Sequence, residues 1–449
     1  MKIIVAGAGN VGKKLLEQLS LEEHNLVVVD RDATLVENVV DSYDVMGVVG
    51  NCVSAEILKN AGVEDADLLI ACTQYDEMNI LCCMVAKKLG VGDTIARVRK
   101  PEYFTLFKDV ELGLSMLVNP EYETAMEISR LLRFPSAIKI EPFAAGKVEV
   151  VEIVVTPKSP LDNLQLKKIN HRFQEKLLVC AVQRGKNVFI PNGEFVLEAW
   201  DEIYITASPK DIGMFFREMG MPRGVGRIMI AGGSRTAFYL ADELKKTNVS
   251  IKIIEKDEEK CLSLDENLEK TEVICGDATD QTLLEEEGLA AMDAFIGLCG
   301  IDERNIVTSL FASRKGVKKV IAKVDNPALA GLWEEKNNQS IVSICTSTVN
   351  EIIRYVRGKE SSGGGKFSKL YRIIDDRVEI LEFIVSDQFE GVGVPLKDLT
   401  IKPNTLIAAI VRSGSLIVPG GNDVIIAGDT VLIVTSQEYS GNLNEILEH

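Results

Sequence analysis

Histidine is scarce in this sequence: His24, His171 and His449 are the three present. His24 precedes an apolar run, His171 lies in a β-rich stretch and His449 ends the sequence, so imidazole acid–base catalysis has no well-placed candidate. Basic charge is also short. Lys and Arg total 50 against 67 Asp and Glu, leaving −17, the wrong sign for a protein that gains affinity by neutralising phosphates; nucleic acid is excluded as a partner class. Long apolar runs are missing: the best, 406–411 and 380–385, are strand-length, well below the ~18–20 residues that cross a bilayer. Glycines break the apolar stretch after Met1 within a few residues, too early for a signal-peptide core. The expectation is a cytoplasmic chain that does not itself enter a membrane.

Cysteine is present but unpatterned. The nine (Cys52, Cys72, Cys82, Cys83, Cys180, Cys261, Cys275, Cys299, Cys345) form an odd set with no CxxC pair. Buried thiols in a reducing compartment are expected rather than disulfides or zinc sites. Hydrophobic residues at 46% and charged residues at 26% match ordinary globular usage, so the chain can bury several cores. At roughly 100–200 residues per domain, its length allows two to four of them.

The sequence repeats itself. Lys2-Ile-Ile-Val-Ala-Gly7 matches Arg227-Ile-Met-Ile-Ala-Gly232 at an offset of 225, and Val27–Asp30 matches Lys252–Glu255 at the same offset. After one inserted residue, Gly50-Asn51 meets Gly276-Asp277, Asp76-Glu77-Met78-Asn79 meets Asp302-Glu303-Arg304-Asn305, and Ile95-Ala-Arg97 meets Ile321-Ala-Lys323. Further on, Ile190–Gly193 meets Val418–Gly421, and Trp200–Ile203 meets Gly428–Val431, at 228. So small a drift over so long a span marks a tandem duplication.

Each copy divides again. Residues 1–134 and 225–358 alternate short β-branched runs with amphipathic stretches, the pattern of βαβ units and a doubly wound parallel sheet. In the first copy, strands are predicted at 2–6, 26–30, 45–49, 68–72, 94–98 and 116–118, with helices over 11–19 and 79–88. Residues 138–220 and 369–449 read instead as small β-rich domains of short strands and Gly/Pro/Asn turns with little helix. Gly358-Lys-Glu-Ser-Ser-Gly-Gly-Gly-Lys366 reads as a flexible linker.

Gly7-Ala8-Gly9-Asn10-Val11-Gly12 sits between a predicted strand and helix, and Asp30 ends the next strand. In that context the glycines allow a tight turn, close approach of a pyrophosphate and close helix packing, with phosphate meeting the helix N-terminus. Asp30 is placed to accept from an adenosine ribose and disfavours a 2′-phosphate, which points to NAD(H) or an adenine nucleotide; Arg31 beside it softens that preference. The second copy reads Gly232-Gly233-Ser234-Arg235-Thr236-Ala237. Ser234 replaces the second motif glycine and would crowd a pyrophosphate, whereas Arg235 can clamp phosphate and Glu255 can hold a ribose. Nucleotide binding and a purely structural role both remain open for this loop. Thr73 and Gln74 lie in the loop after the fourth strand, where they form either a capping box with Asp76 or part of the ligand edge of the sheet. Arg97 faces the same edge as a phosphate contact or as a surface salt bridge.

Catalytic equipment is missing. The spacing of Tyr355 and Lys359 matches short-chain dehydrogenases, yet it runs from a helix into the Ser/Gly linker. Glu285-Glu-Glu287 reads as a solvated helix face rather than a metal site. The β-rich domains hold no nucleophile-and-base pair. No catalytic residue and no metal ligand is therefore assigned.

Together the Gly7–Gly12 loop with Asp30, the block Gly276-Asp277-Ala278-Thr279, the paired Asp-Glu-x-Asn segments and the Pro-x-Gly…Asp pattern near the end of each β-rich domain resemble the TrkA family. Its members are regulatory subunits of Trk potassium uptake systems, joining two RCK units, each a Rossmann-like N-domain followed by a small α+β C-domain. The resemblance spans essentially the whole sequence. It implies no enzymatic activity, binding of NAD(H) and of ATP or ADP, and a membrane-embedded potassium-translocating partner; the acidic charge balance separately predicts membrane association through a protein partner and no direct lipid anchor. It also implies a tetramer whose eight N-domains form a gating ring. Asn51, Cys52, Asp277 and Lys323 join the nucleotide-site residues on the same basis. Asn51, where the second copy has Asp277, and Ser234 depart from the family pattern. Two alternatives stand beside this reading: a nicotinamide-dependent oxidoreductase with tandem Rossmann domains, and an RCK regulator of a cation/proton antiporter or potassium efflux system.

Overall fold

The computed structural model describes the chain apart from residues 23, 101, 104–112, 174, 222–223, 332–338, 360–364, 375–376, 438–441 and 449. His449 and much of the Ser/Gly linker fall outside the described residues.

The first copy opens with β1 (Lys2–Ala6), β2 (Asn25–Asp30), β3 (Met46–Val49), β4 (Leu68–Ala71), β5 (Asp93–Arg97) and β6 (Met116–Val118). They form one parallel sheet in the order β3-β2-β1-β4-β5-β6, the doubly wound arrangement whose strand order reverses beside β1. Residues Ile3 to Ala6 and Leu68 to Ala71 are buried throughout because helices cover both faces, which is why these strands read as continuous apolar runs rather than alternating ones. Predicted strand ends differ from the observed ones by one residue at most.

An antiparallel sheet follows, built from β7 (Lys139–Phe143), β8 (Val148–Val154), β9 (Leu178–Arg184), β10 (Asn187–Phe189) and β11 (Glu202–Ala207) in the order β10-β9-β11-β8-β7. The little-helix expectation misses the ten-residue helix Pro209–Glu218, which starts where Ser208 accepts from Asp211 N and Pro209 takes the first turn. That start is a legible capping signal, and Ile212, Phe215 and Phe216 form its buried stripe.

In the second copy, β12 (Arg227–Ala231), β13 (Ser250–Glu255), β14 (Thr271–Cys275), β15 (Ala294–Gly297), β16 (Lys319–Lys323) and β17 (Gln339–Val342) repeat the first topology as β14-β13-β12-β15-β16-β17. Next come β18 (Gly365–Ile373), β19 (Val378–Val385), β20 (Thr405–Arg412), β21 (Ser415–Ile417) and β22 (Thr430–Thr435), which run β18-β19-β22-β20-β21. Read from the other edge, that is the order of the first antiparallel sheet. Each antiparallel sheet is pinned by a two-pronged ion pair, Arg184 on Asp201 at 2.7 and 2.8 Å and Arg412 on Asp429 at 2.9 and 2.8 Å. Both aspartates are buried, so the fork geometry matters more here than in a surface pair.

By packing, the chain forms two units: Met1–Ala125 with Ser343–Ile353, and Met126–Val342 with Arg354–His449. The division cuts across the repeat, because a helix following each parallel sheet, Pro120–Arg133 or Ile344–Lys359, is shared between units. Within the second unit the two antiparallel sheets share one apolar core, in which Phe143, Val150 and Tyr204 meet Tyr371, Ile380 and Leu432. There, too, the fully buried Lys319 donates from Nζ to Ala137 O (2.6 Å) and Ser340 Oγ (2.9 Å), and Ser340 donates to Ile138 O. A residue of the second copy thus holds the segment leaving the first. The expectation of buried thiols holds for six cysteines; Cys275 is exposed, and Cys299 and Cys345 are half-buried. All nine are free thiols.

Candidate nucleotide site

Gly7 leaves β1 with φ +114°, in the region open to glycine, and its N–H donates to Val29 O at 2.9 Å. The helix Asn10–Leu19 starts immediately after it, with Gly9 as cap. A methyl on Gly12 would stand 1.8 Å from Gly7 O, whereas one on Gly9 would meet nothing within 4 Å. The first contact explains why the helix needs glycine at position 12. The second shows open space over the helix N-terminus, whose N–H groups are not met by a cap side chain. This is the setting in which a helix end takes an anion.

Asp30 closes the loop from the neighbouring strand. Its Oδ2 accepts from Ala8 N at 2.7 Å and its Oδ1 from Asp32 N at 3.0 Å, so one carboxylate both braces the glycine turn and keeps lone pairs for a hydroxyl-bearing ligand. Beneath the turn, Cys72 Sγ reaches Gly7 O at 3.5 Å, and burial pushes its thiol up to about 12, so it stays protonated at neutral pH. Thr73 and Arg97 meet at the same sheet edge, Arg97 Nη1 lying 3.5 Å from Thr73 O. Arg97 Nε is buried without a hydrogen-bond partner, a donor left for something else. Asn51 is exposed, and its Oδ1 accepts from Val53 N at 3.2 Å. Gln74 is exposed as well, and its carbonyl accepts from Arg99. Arg31 lies over the Tyr75 ring at 5.8 Å. Cys52 is different: its side chain is in the core, in the cluster that also holds Cys82.

Of the two readings of Thr73, the capping box with Asp76 does not form. Thr73 Oγ1 accepts from Tyr75 N and donates to Asn79 Oδ1, while Asp76 Oδ2 accepts from Arg99 N and Lys100 N. Sequence reasoning noticed the Asp-Glu-x-Asn repeat but not its role. Fully buried Asn79 accepts from Thr73 N at 2.8 Å and donates to Thr73 O and Arg97 O at 3.1 and 2.8 Å. One amide therefore ties the ends of β4 and β5. Asn305 repeats this on Cys299 N, Cys299 O and Lys323 O at 2.7, 3.0 and 2.9 Å, and Asp302 accepts from Asp325 N and Asn326 N as Asp76 does from its own loop.

The second loop shares the frame but not the opening. Gly232 has φ +104°, and Glu255 Oε2 accepts from Gly233 N at 2.7 Å, as Asp30 does from Ala8. Ser234, however, caps the helix Arg235–Leu244 by accepting from Ala237 N at 3.4 Å. Its hydroxyl occupies the end that Gly9 leaves open. Ala237 is wholly buried where Gly12 stands in the first copy, so the second turn leaves room for a methyl that the first excludes. Thr236 is buried, Arg235 exposed, and Lys323 lies within 3.7 and 3.4 Å of Asp302 and Asp325, a cation already neutralised. Asp277 Oδ1 accepts from Thr279 N and Oγ1 at 2.8 and 2.7 Å; these bonds, with Arg304 and Lys256 nearby, hold its carboxyl below the usual range.

A residue distant in sequence borders the first loop. Lys14 Nζ donates to Thr346 Oγ1 at 2.7 Å and Cys345 Sγ lies 3.6 Å from Asn10 O, both within the first unit. Nothing local in the sequence signals this contact. A cavity of about 370 Å³ between Phe134, Lys210, Phe216 and Arg217 is lined by no glycine-loop residue. Among the described residues, no group of His, Cys, Asp and Glu has metal-binding geometry and no helix is long and apolar enough to cross a membrane.

Comparison with known proteins agrees with this architecture. The TrkA-N domain matches residues 3–120 and 228–344, and the TrkA-C domain matches 150–220 and 389–447. The Trk system potassium uptake protein TrkA of Halomonas elongata is 33% identical, covering 96% of this chain and 95% of that protein. A TrkA homolog of Archaeoglobus fulgidus is 31% identical over 99% and 100% of the two chains. Among solved structures, a GsuK channel bound to NAD superimposes with a TM-score of 0.62 at 17% identity, covering 97% of this chain and 76% of the channel, a likeness of fold. With both halves matched twice and full-length relatives at this identity, the chain belongs to the TrkA family.

Proposed function

We propose that this chain is the nucleotide-binding regulatory subunit of a potassium uptake system, with NAD(H) and ATP or ADP competing for the first glycine loop. The observation that carries the assignment is the uncapped helix N-terminus at Gly9 beside Asp30, with open space above it and the spare donor of Arg97 at the same edge. Backbone N–H groups of residues 9–12 would receive pyrophosphate, Asp30 would receive ribose hydroxyls, and Arg97 would offset phosphate charge. When bound, a dinucleotide supplies charge and a rigid body that the loop alone lacks; no redox step is assigned to it.

Regulation follows from differential affinity. A ligand that binds two arrangements of the N-domains equally shifts nothing, whereas a hundredfold preference shifts the balance by about 2.7 kcal/mol. The Lys14–Thr346 contact gives the loop a mechanical reader, because helix Asn10–Leu19 touches the start of the helix leading into the second antiparallel sheet. The partner in this reading is a membrane-embedded potassium-translocating subunit, and four chains with eight N-domains form the ring. The full-length relatives named for Trk potassium uptake favour this partner over an antiporter.

The test is equilibrium titration of the full chain with NADH, followed by competition with ATP and ADP. Saturable NADH binding without turnover, displaced by adenine nucleotides, is the expected result. Steady hydride transfer to small carbonyl compounds, or no nucleotide-dependent change in potassium flux with the membrane partner, would overturn the assignment.

A further inference from the structure

The two copies differ at two aligned positions in a chemically pointed way. In the first copy, the helix Ala33–Ser42 and β3 carry Val36 and Val49; the repeat alignment places Cys261 and Cys275 there in the second copy. Two valines have become thiols. Cys261 lies on the helix Glu258–Asn267, and Cys275 ends β14 opposite Glu255 in the parallel register. Both thiols adjoin one residue: Cys261 donates to Glu255 O at 3.2 Å, and Glu255 is the residue that pairs with Cys275 across the sheet. Cys275 is exposed and Cys261 is only 9% exposed, the disposition of an accessible attacking sulfur with a sheltered partner.

We propose that Cys275 and Cys261 form a thiol–disulfide exchange site, oxidised by low-molecular-weight disulfides. The Cys275 thiolate attacks one sulfur of the small disulfide; that S–S bond breaks, a mixed disulfide forms, and the first small thiol departs with a proton. Cys261 then loses its proton, displaces the second small thiol and closes the Cys261–Cys275 bond. The protein loses two electrons and two protons, and the small disulfide becomes two thiols. The Cys261 hydrogen is also the one donated to Glu255 O. Oxidation withdraws that bond from the residue whose side chain braces Gly233, while tying the edge strand to the helix beside the second glycine loop.

A second pair in the same chain provides an internal standard. Cys52 and Cys82 lie in one core cluster, but their exposures are 6% and 0%, so small disulfides reach them only on unfolding.

The experiment exposes the native full chain to glutathione disulfide, alkylates the remaining thiols and reads the peptides by fragmentation mass spectrometry. The expected result is loss of two thiols per chain and a Cys261–Cys275 linked peptide, reversed by dithiothreitol, forming at least about tenfold faster than any Cys52–Cys82 link. In Cys275→Ser the linked peptide disappears and Cys261 remains alkylatable. A stable mixed disulfide on Cys275 with Cys261 still free, pairing of Cys275 with Cys299, or no oxidation in the folded chain would each overturn the proposal. Because the readout is a covalent bond, it does not depend on which nucleotide, if any, the second loop binds.

Discussion

The two parallel-sheet domains share strand order, turn geometry, an acidic brace on the glycine loop and a buried asparagine that ties the fourth and fifth strands. They part company at the helix that follows the glycine turn. In the first copy that end is uncapped and open; in the second a serine hydroxyl fills it and an alanine methyl keeps the turn apart. The difference teaches that folding demands and ligand demands sit on separate residues here. Asn79 and Asn305, 0% exposed, serve the sheet in both copies, while Gly9 and Ser234 decide whether a helix end is available to an anion.

The largest expected effect tests the shared part. Asn79→Ala and Asn305→Ala each strip the amide partner from one buried N–H and two carbonyls, of which Thr73 O alone keeps another donor, Arg97 Nη1; at about 1–3 kcal/mol for an unmet buried group this should lower stability by roughly 3–5 kcal/mol in either copy. Urea melts measure it; a loss below about 1 kcal/mol in one copy would break the symmetry argued above. Gly12→Ala comes next. With its methyl driven against Gly7 O, overpacking should cost about 1–3 kcal/mol and NADH binding should fall below detection. Ala237→Gly in the second copy should cost only about 1 kcal/mol, the price of glycine in a helix.

Reciprocal exchange at the helix ends sharpens the contrast further. Gly9→Ser should fold normally, since its Cβ meets open space, yet weaken nucleotide binding roughly tenfold, near 1.4 kcal/mol. Ser234→Gly should lose only a few tenths of a kcal/mol of stability and raise nucleotide affinity at the second loop. Titration calorimetry of both variants decides; unchanged affinity in both would remove the cap as the discriminating feature. The smallest effect is a pH dependence. Asp277 titrates below the usual carboxylate range because Thr279 donates twice to it, so its stabilising contribution is present above the ordinary value of about 3.9 and fades as pH falls through the lowered one. Asp277→Asn should therefore melt slightly earlier than the parent at pH 7, and the gap should close below about pH 4.

Much of this was legible in the sequence, for physical reasons. Strands buried on both faces read as apolar runs, so the strands of the first parallel sheet were placed to within a residue, and glycine turns with an acidic residue after the second strand marked the loops. Other features depended on partners distant along the chain. Asn79 looks like any helix-face amide until the ends of β4 and β5 surround it. Thr346 gives no local sign that Lys14 lies beside it, more than 300 residues away in sequence. Cys275 ends an apolar run, which suggests burial, but β14 is an edge strand and leaves it exposed. The helix Pro209–Glu218 is a plainer omission, since Ser208, Pro209 and Asp211 announce it.

The grouping of Ser343–Ile353 with the first unit has a consequence for how the chain is made. The unit begins at Met1, yet its last stretch leaves the ribosome more than 200 residues after Ala125. At about 5–20 residues per second, the first unit waits roughly ten to forty seconds for the segment that completes it. During that interval the contacts that Thr346 and Cys345 make with the first helix are unmade. Synthesis of this protein therefore has a built-in vulnerable period, longest when translation is slow, and a chain terminated shortly before Ser343 would never leave it.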